Sequence, residues 1–249
     1  MRFVLPCPSD RFKAASPPLL ALAVSLFGLF ASPAAYAVRP FVTDDARLVD
    51  HKACQSEIAI QSGRDSTEYR ILPSCNFTGN LELTLGGARS KYDDGGVRTT
   101  DVVIQGKTLF KPLETNGWGW GLSVGNSRNP ELHRRAIANY YVNVPMSFSF
   151  RDDRVVLHAN LGGLREKEFD RYRMTWGLAS DIQLSERTWM IAETFGQNRG
   201  RPLYQTGFRY ALVPNHVEID TAYGNRFGSN TRERWFVIGL RLVSSAFLP

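Results

Sequence analysis

After residue 37 the chain shows no run of apolar residues at helical spacing over three turns; it alternates instead. Leu81-Glu82-Leu83-Thr84-Leu85 has a period of two, and so does Val217-Glu218-Ile219-Asp220-Thr221-Ala222-Tyr223. Tyr172, Met174, Trp176 and Leu178 alternate with Arg173, Thr175, Gly177 and Ala179. Phe236, Ile238, Leu240 and Leu242 alternate with Val237, Gly239 and Arg241. One face is apolar and aromatic, the other small, polar or charged. Twelve such segments are expected, near 53–62, 67–77, 80–90, 98–110, 117–126, 136–150, 154–162, 172–183, 187–196, 203–211, 216–224 and 233–244.

The connections alternate in length. Short ones lie at 77–80, 111–116, 151–154, 184–187 and 213–216; longer polar ones lie at 90–97, 126–135, 163–171, 197–202 and 225–232. A closed antiparallel sheet places alternate connections at opposite ends, and outer-membrane barrels pair short periplasmic turns with longer outer loops. The predicted fold is therefore all-β: an antiparallel up-and-down transmembrane β-barrel of about 12 strands, both termini on the periplasmic side. The aromatics divide into two girdles under this reading. Phe77, Phe110, Trp118, Trp120, Phe148, Phe150, Trp189 and Tyr210 fall near the periplasmic rim, and Tyr140, Tyr172, Tyr204, Tyr223 and Trp235 near the outer one. A soluble exported sandwich or lipocalin-like barrel also alternates, with its apolar face inward.

Residues 1–37 read as a cleaved signal peptide. Arg2, Arg11 and Lys13 form a basic start, Leu19 to Phe30 is apolar, and Ala35-Tyr36-Ala37 is a cleavage motif. The apolar stretch is 12 residues, short of a membrane-spanning helix. Residues 38–249 then form a single barrel domain, with 38–52 as a periplasmic N-terminal segment. The expected location is the outer membrane of a Gram-negative bacterium, reached through the periplasm.

Composition narrows this little further. The 43% hydrophobic content excludes a disordered chain, and three Cys exclude a disulfide-dense scaffold. Beyond residue 37 there are 27 basic and 23 acidic side chains, a balance too mild to argue for nucleic acid. Cys7 leaves with the leader. Cys54 and Cys75 lie equidistant from a hairpin centred between Arg64 and Asp65, so they face each other across adjacent strands and are expected to form a disulfide.

If the apolar face meets lipid, parity places Glu57, Glu82, Arg173, Asp181, Arg209, Glu218, Asp220 and Arg241 in the lumen, with Gly177 and Gly239. These charges read as ion pairs filling a polar interior or as the lining of a selective pore. Glu193 shares parity with Trp189, Ile191 and Phe195, which points to a bulge or an altered register there.

No zinc, Walker or nucleophile-elbow motif occurs, and no cofactor or metal is expected. His51, His133 and His216 fall in loops or at strand ends. His158 lies mid-strand on the polar face, and the Asp152-Asp153 turn sets it opposite Ser147, with Asn143 and Asn160 near. The pair is similar to that of outer-membrane phospholipases, in which His takes the Ser proton; a satisfied polar pair in the lumen is the plainer reading. Asp44-Asp45 is too small a cluster to name a cation, and the Asn76-Phe77-Thr78 sequon is incidental in a bacterial turn.

Arg39-Pro40-Phe41-Val42-Thr43-Asp44-Asp45-Ala46, the strand Asn80-Leu81-Glu82-Leu83-Thr84-Leu85-Gly86 and the closing Gly239-Leu240-Arg241-Leu242 resemble the outer-membrane family labelled MetA-pathway of phenol degradation. The chain departs from it by its paired Cys and by Ser244 to Pro249 after the last strand, where Phe247 stands in for a terminal aromatic. The resemblance implies a passive channel or uptake protein for small, including aromatic, solutes, and supplies no catalytic residues. A closed structural barrel without transport and a barrel-embedded ester hydrolase using Ser147 and His158 are the alternatives. The expected partners are outer-membrane lipid, the barrel-assembly machinery and a small solute.

Overall fold

The computed structural model describes residues 42–93, 96–128, 139–166, 170–228 and 233–249. The expected leader with its Cys7, residues 38–41, and His133 between β5 and β6 lie outside the described residues. The strands are β1 (Cys54–Gly63), β2 (Ser66–Asn76), β3 (Glu82–Tyr92), β4 (Arg98–Lys111), β5 (Trp118–Arg128) and β6 (Asn139–Phe150). They continue as β7 (Val155–Glu166), β8 (Arg171–Ser185), β9 (Thr188–Gln197), β10 (Leu203–Val213), β11 (Val217–Arg226) and β12 (Trp235–Val243). Each pairs antiparallel with its sequence neighbours, and β1 pairs with β12 to close the barrel. Closure removes the edges that would expose unpaired backbone groups to lipid.

The seam runs from Gln55↔Val243 to Gly63↔Trp235, which puts the start of β1 and the end of β12 at the short-turn end. There the C-terminal tail folds back: Ser244 N–H donates to the Cys54 carbonyl, and Phe247 N–H to that of Lys52. Cys54 and Cys75 are register partners joined by a disulfide, their Cα atoms 4.1 Å apart. The two-residue connection Arg64-Asp65 sets that register from the opposite end. At the β6–β7 turn Arg151, Asp152 and Asp153 all have positive φ. Left-handed L-residues cost roughly 1–2 kcal/mol each. Side chains offset this: Asn116 exchanges hydrogen bonds with Asp152, while Thr115 and Ser149 bond Asp153.

The barrel is inside out relative to a soluble one. Leu85, Ile104, Leu161, Leu178, Phe208, Phe236 and Ile238 are all more than half exposed on the outer face, while the enclosed side chains are largely polar or charged. An apolar exterior around a polar lumen suits a lipid-facing barrel. No described helix is long and apolar enough to cross a membrane, which says nothing of a β-barrel, since a barrel crosses with its strands.

Three aspects of the expected facing need correction. Trp189 and Trp235, assigned to the girdles, are enclosed at 7% and 8% exposure. β9 carries no bulge at Glu193: its pairing to β8 and β10 runs unbroken there, and Trp189, Ile191, Glu193 and Phe195 all face inward. The outward set of β9 is Met190, Ala192 and Thr194. Apolar residues follow lipid only where the interior has no apolar niche. Here Phe195, Ala222, Trp235 and Val237 build one inside the barrel.

Leu161→Arg, near the middle of β7, is expected to destabilise the protein by about 2–4 kcal/mol, the cost of a cation at the lipid midplane. Urea titration in lipid vesicles measures it. A change under about 0.5 kcal/mol, as for a solvated surface, would show that this face does not meet lipid.

Candidate functional site: the occupied lumen

The segment before β1, expected as a periplasmic N-terminal segment, enters the lumen from the short-turn end over its described residues. Lys52 N–H donates to the Asn76 carbonyl and Ala53 N–H to that of Asp50, which turns the chain inward from the short-turn end. From Asp50 back to Val42 the segment climbs between the strands. Thr43, Asp45, Ala46 and Val49 are each at most 2% exposed.

A chain segment in such a place needs partners for its backbone, and no sheet edge is available. Wall side chains provide them. Glu193 takes two adjacent N–H groups, Val42 at 2.8 Å and Thr43 at 2.9 Å. Asn160 reads both sides of Asp44, accepting its N–H at 2.7 Å and donating to its carbonyl at 2.7 Å. Ser147 Oγ accepts Ala46 N–H at 2.8 Å, and Glu82 accepts Val49 N–H at 2.9 Å. Asn76 donates to the Val49 carbonyl at 2.8 Å. Asp45 N–H and Arg47 N–H are taken within the segment, by the Asp44 and Asp45 carboxylates.

The acidic pair has its cation inside the protein. Lys107 Nζ lies 2.8 Å from Asp44 Oδ1 and 2.9 Å from Asp45 Oδ1, and Ser123 donates to Asp44 Oδ2 at 2.9 Å. Lys107 is 4% exposed, and Glu82 is its register partner on β3. Val42 packs against the niche formed by Phe195, Ala222, Trp235 and Val237. Where the segment passes β8 the wall is Gly177: a Cβ there would lie 2.4 Å from Thr43 Oγ1. That close approach explains a glycine in mid-strand.

The expected lumen residues fall into three groups. Asp181, Arg209, Glu218 and Arg241 form one line of contacts: Arg209–Asp181 at 3.5 Å, Arg209–Glu218 at 4.0 Å and Arg241–Glu218 at 3.2 Å. Glu57 and Asp220 flank it as register partners of Arg241 and Arg209. Glu82 belongs with the segment. Arg173 stands apart, 3.5 Å from Glu166 toward the long-loop end.

Ser147 and His158 are brought together as register partners, Oγ to Nδ1 at 2.8 Å, and Asp181 Oδ2 lies 3.5 Å from His158 Nε2. The three residue types of a hydrolytic triad are thus in line. Their geometry is that of a relay, not of a nucleophile. Ser147 is fully enclosed and its oxygen lies in the direction of an amide N–H, leaving no approach for a carbonyl carbon. The donors and acceptors match if Ser147 donates to Nδ1 and the Nε2 proton faces Asp181.

This relay joins the two halves of the site. From Ala46 the contacts run through Ser147, His158, Asp181, Arg209, Glu218, Arg241 and Gln55 to Glu82, which holds Val49. The line leaves the segment at one point, follows the wall and returns to it.

Sequence reasoning missed Lys107, Ser123 and Glu193 as site residues. Lys107 was findable: it shares the parity of Asp101, opposite to Ile104 and Phe110. Glu193 was noticed but misread because its strand looks apolar on that face. Asn76, in the sequon, is 1% exposed and bonded on both amide atoms, so it is a structural residue. The described residues contain no group of three or more His, Cys, Asp or Glu placed to hold a metal.

A twelve-stranded barrel with an apolar exterior and a charge-lined lumen is a porin-like fold, here with its own N-terminal segment inside. The chain belongs to the family described as "Uncharacterised conserved protein UCP029691", matched over residues 25–243. Comparison with curated proteins finds no match. Among solved structures it is similar to the KdgM porin, at 11% identity and a TM-score of 0.54, over 76% of this chain and 98% of that one. The NanC porin is similar at 10% identity and a TM-score of 0.55, with the same coverage. The KdgM porin in complex with disordered oligogalacturonate gives 10% and 0.53. Likeness at this identity establishes the fold and nothing finer.

Ser147→Ala removes the acceptor for Ala46 N–H and the partner of His158. It is expected to cost about 1–3 kcal/mol, the penalty for orphaning buried polar groups, read by urea titration. Hydrolysis of a chromogenic ester by the folded barrel should be equal in the native protein and the variant. A lower rate in the variant would make Ser147 a nucleophile.

Proposed function

We propose that the protein is an outer-membrane channel for small molecules. The carrying observation is the room inside it. Small wall residues at Gly177, Ser123 and Ser147 leave space for an entire extended segment in addition to the wall's own side chains. A barrel meant only as a structural body fills its interior from the wall, as small barrels do. The charged lining of both signs suits passage of polar solutes. The porin likeness supports the same reading at the level of fold. The resemblance of 39–46 to the MetA-pathway family adds small aromatic acids as candidate solutes. Oligogalacturonate, present with the KdgM porin, is a reasonable probe to set beside them.

The test is purified, heat-modifiable barrel in planar bilayers, followed by liposome swelling with a neutral sugar, an aromatic acid and oligogalacturonate. Discrete conductance steps and solute-dependent swelling are expected. Silence from the native protein and from an Asp44→Asn/Asp45→Asn variant would sink the channel and leave a closed structural barrel.

A further inference from the structure

We propose that the lumen wall is a peptide-binding site for an extended segment bearing adjacent carboxylates, and that residues 42–50 are its resident ligand, a tethered blocker latched by Asp44 and Asp45 on Lys107. The proposal rests on the channel reading for its consequence, but not for the binding itself.

The wall recognises the segment as a receptor recognises a peptide. Glu193 and Asn160 read successive backbone groups of Val42, Thr43 and Asp44. Ser147, Glu82 and Asn76 read Ala46 and Val49. These contacts to the main chain fix register and direction without selecting side chains. Selection comes from three places. Lys107 with Ser123 takes the two carboxylates. The niche of Phe195, Ala222, Trp235 and Val237 takes the aliphatic Val42. Gly177 leaves room for the residue between them, Thr43. The ligand class that fits is therefore an extended peptide with a β-branched or aliphatic residue two positions before an acidic pair.

All wall contacts named here come from side chains, and the barrel has no free edge to which the segment can pair as a strand. A segment held in this way can exchange with water, unlike one in the sheet. A partner for Lys107 stands ready when it leaves: Glu82 is directly opposite on β3. Glu82 loses Val49 N–H in the same event. The exchange trades Asp44 and Asp45 for Glu82, so Lys107 is not left buried and unpaired, the costly outcome for a lone charge.

The experiment uses two full-chain variants, each first shown to fold by heat modifiability. In Thr43→Cys/Gly177→Cys, a Cβ at 177 would lie 3.3 Å from that of residue 43, close enough for oxidation to bridge them. Oxidised barrels should show open time at least about tenfold below the same barrels in reductant, with native protein in reductant as the control for Cys54–Cys75. In Asp44→Asn/Asp45→Asn, open time should rise at least about tenfold over native, because a buried ion pair is broken from the segment side. A synthetic peptide of residues 42–50 should then bind this variant in detergent, read by fluorescence anisotropy, and lower its conductance. The same peptide with Asn at both acidic positions should bind at least about tenfold more weakly.

Equal conduction by oxidised and reduced double-cysteine barrels would overturn the blocker while leaving the channel standing. Peptide binding without conductance in any form would uphold the binding site and reject the channel. No binding, or equal binding of the acidic and Asn peptides, would overturn the binding site.

Discussion

Backbone donors and acceptors have to be satisfied wherever water is scarce, and this requirement shapes both the wall and the contents of the barrel. For the strands, closure between β1 and β12 meets it. For residues 42–49 the sheet provides nothing, so the wall's side chains act in its place. Leaving one such N–H unpaired costs on the order of 1–3 kcal/mol, judged from mutational data. The segment carries N–H groups at every residue from 42 to 47 and at 49 that find acceptors. Glu193, Asn160, Ser147 and Glu82 therefore have a definite purpose inside an apolar shell. They replace the solvent that an extended chain would otherwise require.

The charges follow from the same constraint. A buried carboxylate is tolerable only beside a cation or several donors. Asp44 and Asp45 meet Lys107, and Asp181 and Glu218 meet Arg209 and Arg241. His158 lies where these two clusters approach. Through Ser147 it touches the segment, and through Asp181 it touches the arginines. Polar networks in a low dielectric reinforce one another when complete and are costly when broken. Departure of the segment therefore disturbs the arginine cluster as well as Lys107, and the two ends of the line, Ala46 and Val49, are nine-tenths or more enclosed together.

Much of the wall was legible in the sequence because its signals are local. Alternation reports which face a strand buries. The Arg64-Asp65 and Asp152-Asp153 turns fix the pairings Cys54↔Cys75 and Ser147↔His158 by counting outward from their centres. β9 defeated the method for a physical reason. Periodicity identifies two faces, but hydropathy names the lipid face only if the interior is uniformly polar. Trp189, Ile191 and Phe195 are luminal because the lumen has apolar stretches of its own. The segment was illegible for another reason. Residues 42–50 carry no period, and their hydrogen-bonding and ionic partners lie on β2, β3, β4, β5, β6, β7 and β9, far away along the chain. The Asp44-Asp45 pair looked like an incomplete cation site because its cation, Lys107, is 62 positions from Asp45.

The way the segment is held bears directly on what the protein can do. A strand added to a sheet is bound by the cooperative ladder and leaves only when the sheet opens. A segment held by side chains faces a smaller barrier, since each bond can be traded for one to water or to another side chain. The barrel enforces the second situation, because closing β1 against β12 consumes both edges. Lys107 and Glu82, directly opposed on β4 and β3, give that trade a defined end point. Occupancy of the lumen is then set by side-chain contacts and not by the hydrogen-bond ladder of the sheet. The disulfide and the turned-back C-terminal tail secure the wall at the point where the segment enters, and backbone bonds to Asn76 and Phe247 tie the chain down as far as Lys52. A rim tied by a disulfide beneath a segment held through side chains is the arrangement by which one chain supplies both a barrel wall and the body that occupies its lumen.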